Sequence, residues 1–301
     1  MISYRGFLIR LIIKHWVGPK FNQMRAIDEQ RIWFAKITRL QLLPRDLSIE
    51  NVQIDDISAE WIRPRGAAEK QAILYLHGGG YMTGSYATHR NICAHIARAA
   101  GMNVLSINYR LAPEHPFPAA LEDAQNVYRR LLRKEYSPVA IAGDSAGGGL
   151  ALGTQLALRD SGDTLPAVSI CLSPWTDLKL TGDSLISNAA IDPFLKNTTL
   201  KFSATSYLHD HDPALPLISP LYGDFQGFGP MLIQVGQDEI LLSDSERLAA
   251  RAEEDGVNVT FETWDHMWHG WHIFAGLLPE SDQAINSIGE FIKLHAKATA
   301  L

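Results

Sequence analysis

The chain carries the sequence Gly-Asp-Ser-Ala-Gly-Gly-Gly at residues 143–149, and this stretch decides the fold prediction. It directly follows the apolar run Pro138–Ala142 and precedes an Ala- and Leu-rich run that favours a buried helix. A strand that stops at Gly-x-Ser-x-Gly and continues as a helix is the sequence form of a nucleophile elbow. We therefore expect a strained turn that presents Ser145 and that sterically requires Gly143 and Gly147.

A second glycine-rich stretch, His-Gly-Gly-Gly-Tyr at residues 77–81, follows the apolar run Ala72–Leu76. Glycines leave backbone N–H groups uncovered, so that they can point at an anion. A flexible turn would also explain the glycines, but a His-Gly-Gly-Gly run after a strand is typical of an oxyanion loop. We predict an oxyanion hole formed by the N–H groups of Gly79, Gly80 and Ala146.

A serine nucleophile needs a base, and the base needs a carboxylate that orients it. In hydrolases with a nucleophile elbow, the acid lies between the serine and the histidine in the order of the chain. Met231–Gly236 predicts a buried strand, and Asp238 follows its C-terminal end, where α/β sheets place their ligands. Asp244 competes with it, but the helix dipole explains an acid in the first turn of the next predicted helix. We predict Asp238 as the orienting acid.

Three histidines, His266, His269 and His272, compete for the role of base. His269 is favoured because Gly270 follows it and leaves the loop free to bring the imidazole to the serine. The His-x-x-His-x-x-His spacing also suggests a metal, but it lacks the glutamate of the zinc helix and any Cys or Asp cluster. We predict His269 as the base, the other two at the surface or the pocket wall, and neither a metal nor an organic cofactor.

With these motifs and with Tyr109–Ala120, Ser173–Leu178 and Asp192–Phe194, the chain resembles the bacterial hormone-sensitive-lipase-like serine esterases. The resemblance runs from about residue 45 to the C-terminus, and the motifs occur in the family's order. It implies an α/β-hydrolase fold, with a mostly parallel central sheet, helices on its flanks and a helical cap. Trp271 stands where a phenylalanine is usual, which puts the pocket shape in doubt but not the chemistry.

The resemblance implies Ser145 as nucleophile, His269 as base and Asp238 as acid, in agreement with the residue-based predictions. It also implies a carboxylesterase that hydrolyses short- to medium-chain acyl esters through an acyl-enzyme. Amide, peptide or lactone hydrolysis would use the same triad. A ligand-binding receptor on a degenerate scaffold, as in the plant gibberellin receptors, would have lost the histidine, which this chain keeps. The candidate pocket residues are Trp33, Phe34, Tyr81 and Leu178.

Composition sets limits on partners and location. The chain has 301 residues and a formal net charge of −6, and it lacks a sustained basic stripe, so we expect no nucleic acid partner. Basic residues interrupt the apolar N-terminus, which is too short for a membrane span and lacks a signal cleavage site. It predicts an amphipathic helix on a membrane, over the active site or against the core. Cys93 and Cys171 lie in apolar surroundings, which favours buried free thiols and a cytoplasmic location.

From Gln71 onward, predicted strands and helices alternate, which indicates a mostly parallel sheet covered on both faces. We expect residues 1–45 to form the N-terminal part of a helical cap and residues 46–301 to form the catalytic domain. The rhythm breaks at residues 179–215, which we expect to be the second cap segment. A homodimer through the edge of the last strand, residues 257–264, is common in the family, and the expected substrate is a small ester.

Overall fold

The computed structural model describes residues 2–23, 26–39 and 42–296. Its centre is an eight-stranded sheet. The strands are β1 (Leu47–Ile54), β2 (Ile57–Pro64), β3 (Gln71–Leu76), β4 (Asn103–Ile107), β5 (Ser137–Asp144), β6 (Val168–Leu172), β7 (Met231–Gly236) and β8 (Val259–Trp264).

The described α-helices precede, separate and follow these strands. They are α1 (Tyr4–Ile12), α2 (Gly18–Gln23), α3 (Ile27–Ile37), α4 (Tyr86–Ala100), α5 (Ala119–Arg133), α6 (Ala146–Asp160), α7 (Ser184–Ser187), α8 (Asn197–Leu208), α9 (Leu242–Glu254) and α10 (Pro279–Ala296). A π-helical turn at Ile13–Val17 joins α1 to α2.

The strands follow the order β1-β2-β4-β3-β5-β6-β7-β8 across the sheet. β1, β2 and β4 pair antiparallel, and every pair from β4 to β8 is parallel. The predicted mostly parallel sheet is thus confirmed. Because the carboxyl ends of parallel strands meet at one edge, the loops after β3, β5, β7 and β8 come together there.

Side chains of β3 show how the core is divided. Ile73 and Tyr75 face the layer that contains α4 and α10, whereas Leu74 and Leu76 face the layer that contains α5 and α6. This follows from the period of two along a strand. Because both faces are covered, the strand is apolar along almost its whole length. Cys93 and Cys171 are buried and free, as predicted.

Two helical segments meet above the edge of the sheet. One comprises α1 to α3, and the other comprises α7, α8 and their connections. Phe21 of the first stacks on Phe194 of the second, with ring centroids 5.2 Å apart. Asn22 Nδ2 donates to the carbonyl oxygen of Phe194 at 2.8 Å. None of the helices in the described part of the chain is both long and apolar enough to cross a membrane.

Candidate active site

The turn between β5 and α6 has the geometry of a nucleophile elbow. Ser145 alone separates the two elements, with φ 53° and ψ −124°, a conformation that non-glycine residues rarely adopt. A Cβ on Gly147 would collide with the carbonyl oxygen of Leu76, and one on Gly143 would collide with the backbone of Gly147. Both glycines are therefore required by close backbone approach, as the sequence predicted.

The structure brings His269 to Ser145. His269 lies in the loop after β8, and its Nε2 atom is 2.9 Å from Ser145 Oγ. Gly270, with φ 74°, follows the histidine and lets the chain turn into a short 3₁₀ helix at Trp271–Phe274. This distance is within hydrogen-bond reach, so the imidazole can accept the hydroxyl proton.

The carboxylate that contacts the histidine belongs to Glu239, and the prediction of Asp238 is wrong at this point. Glu239 Oε2 lies 2.7 Å from His269 Nδ1. Its Oε1 accepts hydrogen bonds from Ser173 Oγ at 2.8 Å and from the Gly236 N–H at 2.6 Å. Glu239 is completely buried, and these bonds satisfy both of its oxygens and fix its orientation.

Asp238 instead points out of the site towards the N-terminal helical segment. Its Oδ2 is 2.7 Å from Arg10 Nη1, and both side chains are partly exposed. Arg10 also donates to the carbonyl oxygens of His266 and Ile191. The turn after β7 aims one of two adjacent carboxylates inward and the other outward. Asp238 therefore connects α1 to the turn that follows β7, here named the acid loop (residues 237–241), and does not touch the histidine.

Asp244, the competing acid in the sequence, is buried in a structural role. Its Oδ2 accepts the N–H groups of Thr176 and Asp177 at 2.9 and 3.0 Å, and Arg247 contacts its other oxygen. Burial raises the pKa of Asp244 to about 7, against the lowering effect of these hydrogen bonds and of Arg247. The residue fastens the loop after β6, and the sequence correctly set it aside.

The environment of His269 favours its protonated form. Burial alone would lower its pKa, but the hydrogen bond and the negative charge of Glu239 outweigh this effect. The charges of Asp192 and Asp144 act in the same direction, so the pKa of His269 is raised above 6.5. The interactions that raise this pKa also stabilise the imidazolium that forms when the histidine takes the serine proton.

Asp192, in the Asp-Pro-Phe motif, ties the second helical segment to the acid loop. Its Oδ1 accepts the N–H groups of Phe194 and Leu195, and its Oδ2 accepts the N–H of Ile240 at 3.0 Å. Ile240 follows Glu239 directly, so these bonds hold the position of the acid. The sequence motif did not by itself reveal this connection.

The candidate oxyanion donors are the backbone N–H groups of Gly79, Gly80 and Ala146. Gly79 and Gly80 line the same cavity as Ser145 and have φ values of 122° and 63°. Ala146 begins α6, so its N–H is one of the free donors of a helix N-terminus. Within the described residues, the N–H groups of Gly79, Gly80 and Ala146 donate to no protein acceptor. That these three groups form the oxyanion hole stays a prediction.

Asp144 supports residues 77–81, here named the glycine loop, through a hydrogen bond. Its Oδ1 accepts hydrogen bonds from Tyr75 Oη at 2.8 Å and from the Gly78 N–H at 3.0 Å, and its Oδ2 is 3.3 Å from His89 Nε2. Burial by itself would raise the pKa of Asp144. The charge of His89 and the hydrogen bonds outweigh burial and hold this pKa below its usual range. His77 stacks on Tyr109, and burial lowers its pKa to about 3, so it braces the loop as a neutral ring.

The Tyr109–Ala120 stretch supports the loop from its other side. Tyr109 Oη donates to the carbonyl oxygen of His77 at 2.6 Å. Arg31 of α3 pairs with both carboxylate oxygens of Glu114 at 2.8 Å and donates to the carbonyl oxygen of Met82. The first helical segment is thus fastened to the glycine loop.

A mostly apolar cavity of about 370 Å³ opens onto Ser145 and His269. Its walls come from the catalytic edge of the sheet and from both helical segments. Apolar side chains that line it include Ile13, Val17, Phe21, Phe34, Phe194 and Leu200. This volume lies at the lower end of the range of about 300–1,000 Å³ that is usual for small-molecule sites.

Of the four predicted pocket residues, only Phe34 lines this cavity. Tyr81 is buried and stacks on Tyr207, with ring centroids 3.7 Å apart. Leu178 is buried in the main core cluster. Trp33 lies beside Phe21, with ring centroids 6.3 Å apart, and does not line the cavity. The predictions for Trp33, Tyr81 and Leu178 are therefore wrong, because these apolar groups pack against other side chains.

The three closely spaced histidines diverge. His266 is exposed, His269 reaches Ser145, and His272 lies in the cavity wall with its Nε2 3.0 Å from Gln234 Oε1. Burial lowers the pKa of His272 to about 3. Among the described residues, His, Cys, Asp and Glu form no group of three or more that could hold a metal ion.

Fold and site together define a hydrolase with an elbow serine, and comparison with known proteins gives its family. Residues 73–273 match a protein family whose description is 'alpha/beta hydrolase fold', and the chain belongs to that family.

Named relatives narrow the class. An acetyl-hydrolase of Streptomyces hygroscopicus is 44% identical over 244 residues, which cover 80% of this chain and 81% of the relative. An esterase of Acinetobacter venetianus is 37% identical, covering 83% and 84% of the two chains. The crystal structure of an esterase from the bacterial hormone-sensitive lipase family has a TM-score of 0.93 and 43% identity, covering 98% and 99%. This chain is accordingly a carboxylesterase of the hormone-sensitive-lipase-like group.

Proposed function

We propose that the protein hydrolyses short- to medium-chain carboxylic esters through an acyl-enzyme on Ser145, with His269 as base and Glu239 as the acid that orients it. The observation that carries this proposal is the continuous hydrogen-bonded row from Ser145 Oγ through His269 to Glu239, at 2.9 and 2.7 Å. Such a row is the geometric signature of a serine triad, whichever acid completes it.

In the proposed first step, Ser145 Oγ attacks the ester carbonyl carbon while His269 Nε2 takes the hydroxyl proton. The carbonyl oxygen becomes negative and accepts hydrogen bonds from the N–H groups of Gly79, Gly80 and Ala146. His269 then gives its proton to the departing alkoxide, which leaves an ester between the acyl group and Ser145. Water repeats the sequence on this ester and releases the acid.

The cavity supports the proposed chain-length preference. Its walls are mostly apolar and its volume is about 370 Å³, which suits an acyl chain of a few carbons with a small alcohol. We propose that residues 1–45 and 179–215 act as a cap on the catalytic domain. The support is that side chains such as Phe21 and Phe194 complete the cavity from above.

Two further features belong to this proposal. A cytoplasmic location is supported by two free, buried thiols, which need no oxidising compartment. A homodimer through β8 is supported by the place of that strand at the edge of the sheet, where its backbone can pair with a second copy.

A series of p-nitrophenyl esters of increasing acyl length tests the proposed substrate class. We expect kcat/KM to be highest for short and medium acyl groups and to fall for long ones, because the cavity is limited. The matched variant Ser145→Ala should lower the rate on every ester by several orders of magnitude. Maximal turnover on long-chain esters would contradict the substrate class, and a variant that kept a tenth of the activity would contradict the nucleophile.

A further inference from the structure

The N-terminal segment formed by α1 and the π-helical turn Ile13–Val17 carries apolar side chains that are exposed to solvent. Trp16 is 78% exposed and Tyr4 is 76% exposed. The set, here named the outer face, consists of Tyr4, Phe7, Leu8, Leu11, Ile12 and Trp16. A contiguous apolar face of this kind on a folded protein marks an interaction surface, whereas single exposed apolar residues need no explanation.

On the opposite side of this N-terminal segment, the inner face, side chains pack against the rest of the protein. Gly6 and Ile13 are buried, and Ile13 packs in one cluster with Met267 and Trp268. The fold of the chain therefore accounts for the inner side chains but not for the outer face. A helix that is apolar on both sides lies between two apolar environments.

Charge distribution distinguishes this segment from the rest of the chain. Residues 1–27 contain five Lys or Arg and no Asp or Glu, whereas the whole chain has a net charge of −6. Arg5 and Lys14 are exposed. Along α1, Arg5 falls beside Ile12, at one border of the outer-face residues of that helix, and Lys14 lies in the π-helical turn that follows α1. Arg10, by contrast, points inward and pairs with Asp238.

We propose that the outer face of this N-terminal segment docks the protein on an anionic lipid surface. The apolar side chains would enter the boundary between headgroups and acyl chains, and Arg5 and Lys14 would meet the headgroup phosphates. An apolar helix face with basic borders is the pattern of helices that lie in the plane of a membrane interface. A second copy of the chain fits less well, because pairing two outer faces would bring like charges together.

The cavity mouth is compatible with this orientation. Ile13, Val17 and Phe21, from the same N-terminal segment, line the cavity on its inner side. Leu42, Phe202 and Leu277 both line the cavity and are exposed. Exposed apolar residues in the cavity lining would let an apolar molecule pass from a lipid surface into the cavity with little contact with water.

Co-sedimentation of the full chain with lipid vesicles tests the proposal. We expect binding to vesicles of phosphatidylcholine mixed with phosphatidylglycerol, weaker binding to phosphatidylcholine alone, and loss of binding as salt is added. Tryptophan emission supplies a second readout: on binding it should shift to the blue and be quenched by brominated acyl chains, and both effects should be lost in Phe7→Ser/Trp16→Ser, which lacks only Trp16 of the seven tryptophans. Absence of binding to the anionic vesicles would overturn the proposal.

Matched variants distinguish vesicle binding through the outer face from nonspecific binding through any exposed apolar or basic residue. The double variants Phe7→Ser/Trp16→Ser and Arg5→Glu/Lys14→Glu should each lower vesicle binding about tenfold or more. Their controls make the same kinds of change elsewhere. Leu294→Ser removes an apolar side chain that is 70% exposed near the end of α10, and Arg133→Glu/Lys134→Glu reverses two exposed charges at the C-terminal end of α5. The controls should bind like the wild type.

Two measurements distinguish a failure of the docking proposal from misfolding of a variant and from an error in the proposed catalytic mechanism. Hydrolysis of a water-soluble short ester should be unchanged in all four variants, which shows that they fold. Ser145→Ala should bind vesicles like the wild type, so the docking proposal is tested even if the proposed chemistry is wrong. Equal vesicle binding by the outer-face variants would overturn the proposal. So would a dimer in sedimentation velocity that Phe7→Ser/Trp16→Ser dissociates while vesicle binding persists.

Discussion

Glu239 Oε2 lies 2.7 Å from His269 Nδ1, inside a buried pocket where both Glu239 oxygens accept hydrogen bonds. The adjacent Asp238 points outward to Arg10. Two neighbouring carboxylates thus have separate tasks, one at the imidazole and one at the contact between α1 and the acid loop. The difference between them can be measured directly.

Glu239→Gln should lower kcat by about a thousandfold or more, because the amide no longer stabilises the imidazolium and can present the wrong hydrogen-bonding group to Nδ1. Asp238→Asn is the matched control, since it makes the same carboxylate-to-amide change one residue earlier. It should keep kcat within about threefold of the wild type, because it touches neither reacting group. Steady-state kinetics on one short ester decides the matter. The reverse order of effects would return the acid to Asp238.

The pH profile follows from the raised pKa of His269. The base must be neutral to accept the serine proton, so kcat/KM should rise with pH and level off above a midpoint higher than 6.5. In Glu239→Gln burial remains, and the two largest effects that raise this pKa are lost, while the smaller effects of Asp192 and Asp144 stay, so the midpoint should move to lower pH. An unchanged midpoint in the residual activity of that variant would speak against the coupling of the two side chains.

Asp144→Ala should disturb the glycine loop, because the N–H of Gly78 loses its acceptor. The oxyanion bonds form mainly in the transition state, so we expect kcat to fall about tenfold to a hundredfold with little change in KM. Tyr75→Phe is the control, since it removes only the hydroxyl that also donates to Asp144 and should cost much less. A rise in KM at constant kcat would instead indicate a role in substrate binding.

Arg10 and Asp238 should be energetically coupled. Their ion pair is 2.7 Å long, but both side chains are one-fifth exposed, so solvent screening limits its value. We expect a coupling free energy of about 0.5–1 kcal/mol in a double-mutant cycle of Arg10→Met and Asp238→Asn, measured by chemical unfolding. Additive effects of the two substitutions would mean that the contact contributes nothing to stability.

Much of the fold was predictable because its signals are local and repeated. Apolar runs such as Ala72–Leu76 become buried parallel strands, and the Gly-x-Ser-x-Gly turn places Ser145 between β5 and α6. The serine was predictable from the Gly-x-Ser-x-Gly turn, and the histidine was predictable because Gly270 follows it in the loop after a predicted strand. The distance between Ser145 and His269 in the structure agrees with that expectation.

The identities of the triad acid and of the pocket-lining residues could not be predicted from local sequence patterns, because both depend on how the chain packs in three dimensions. Asp238 and Glu239 are adjacent after β7, and only the path of the turn decides which one faces His269. In the sequence, Glu239 was an available carboxylate one residue further along the same loop. Tyr81 was a predicted pocket residue, but it stacks on Tyr207, a partner 126 positions later. Pocket walls arise from such distant packing.

Intact mass spectrometry after reaction with diethyl p-nitrophenyl phosphate tests the central claim most directly, because a phosphylating agent reacts with a serine only when its hydroxyl is activated. We predict one diethylphosphoryl group per chain, found on the peptide that contains Ser145, and no adduct on Ser145→Ala. Glu239→Gln should be labelled far more slowly than Asp238→Asn. An adduct on another residue, or equal labelling of Ser145→Ala, would contradict the account.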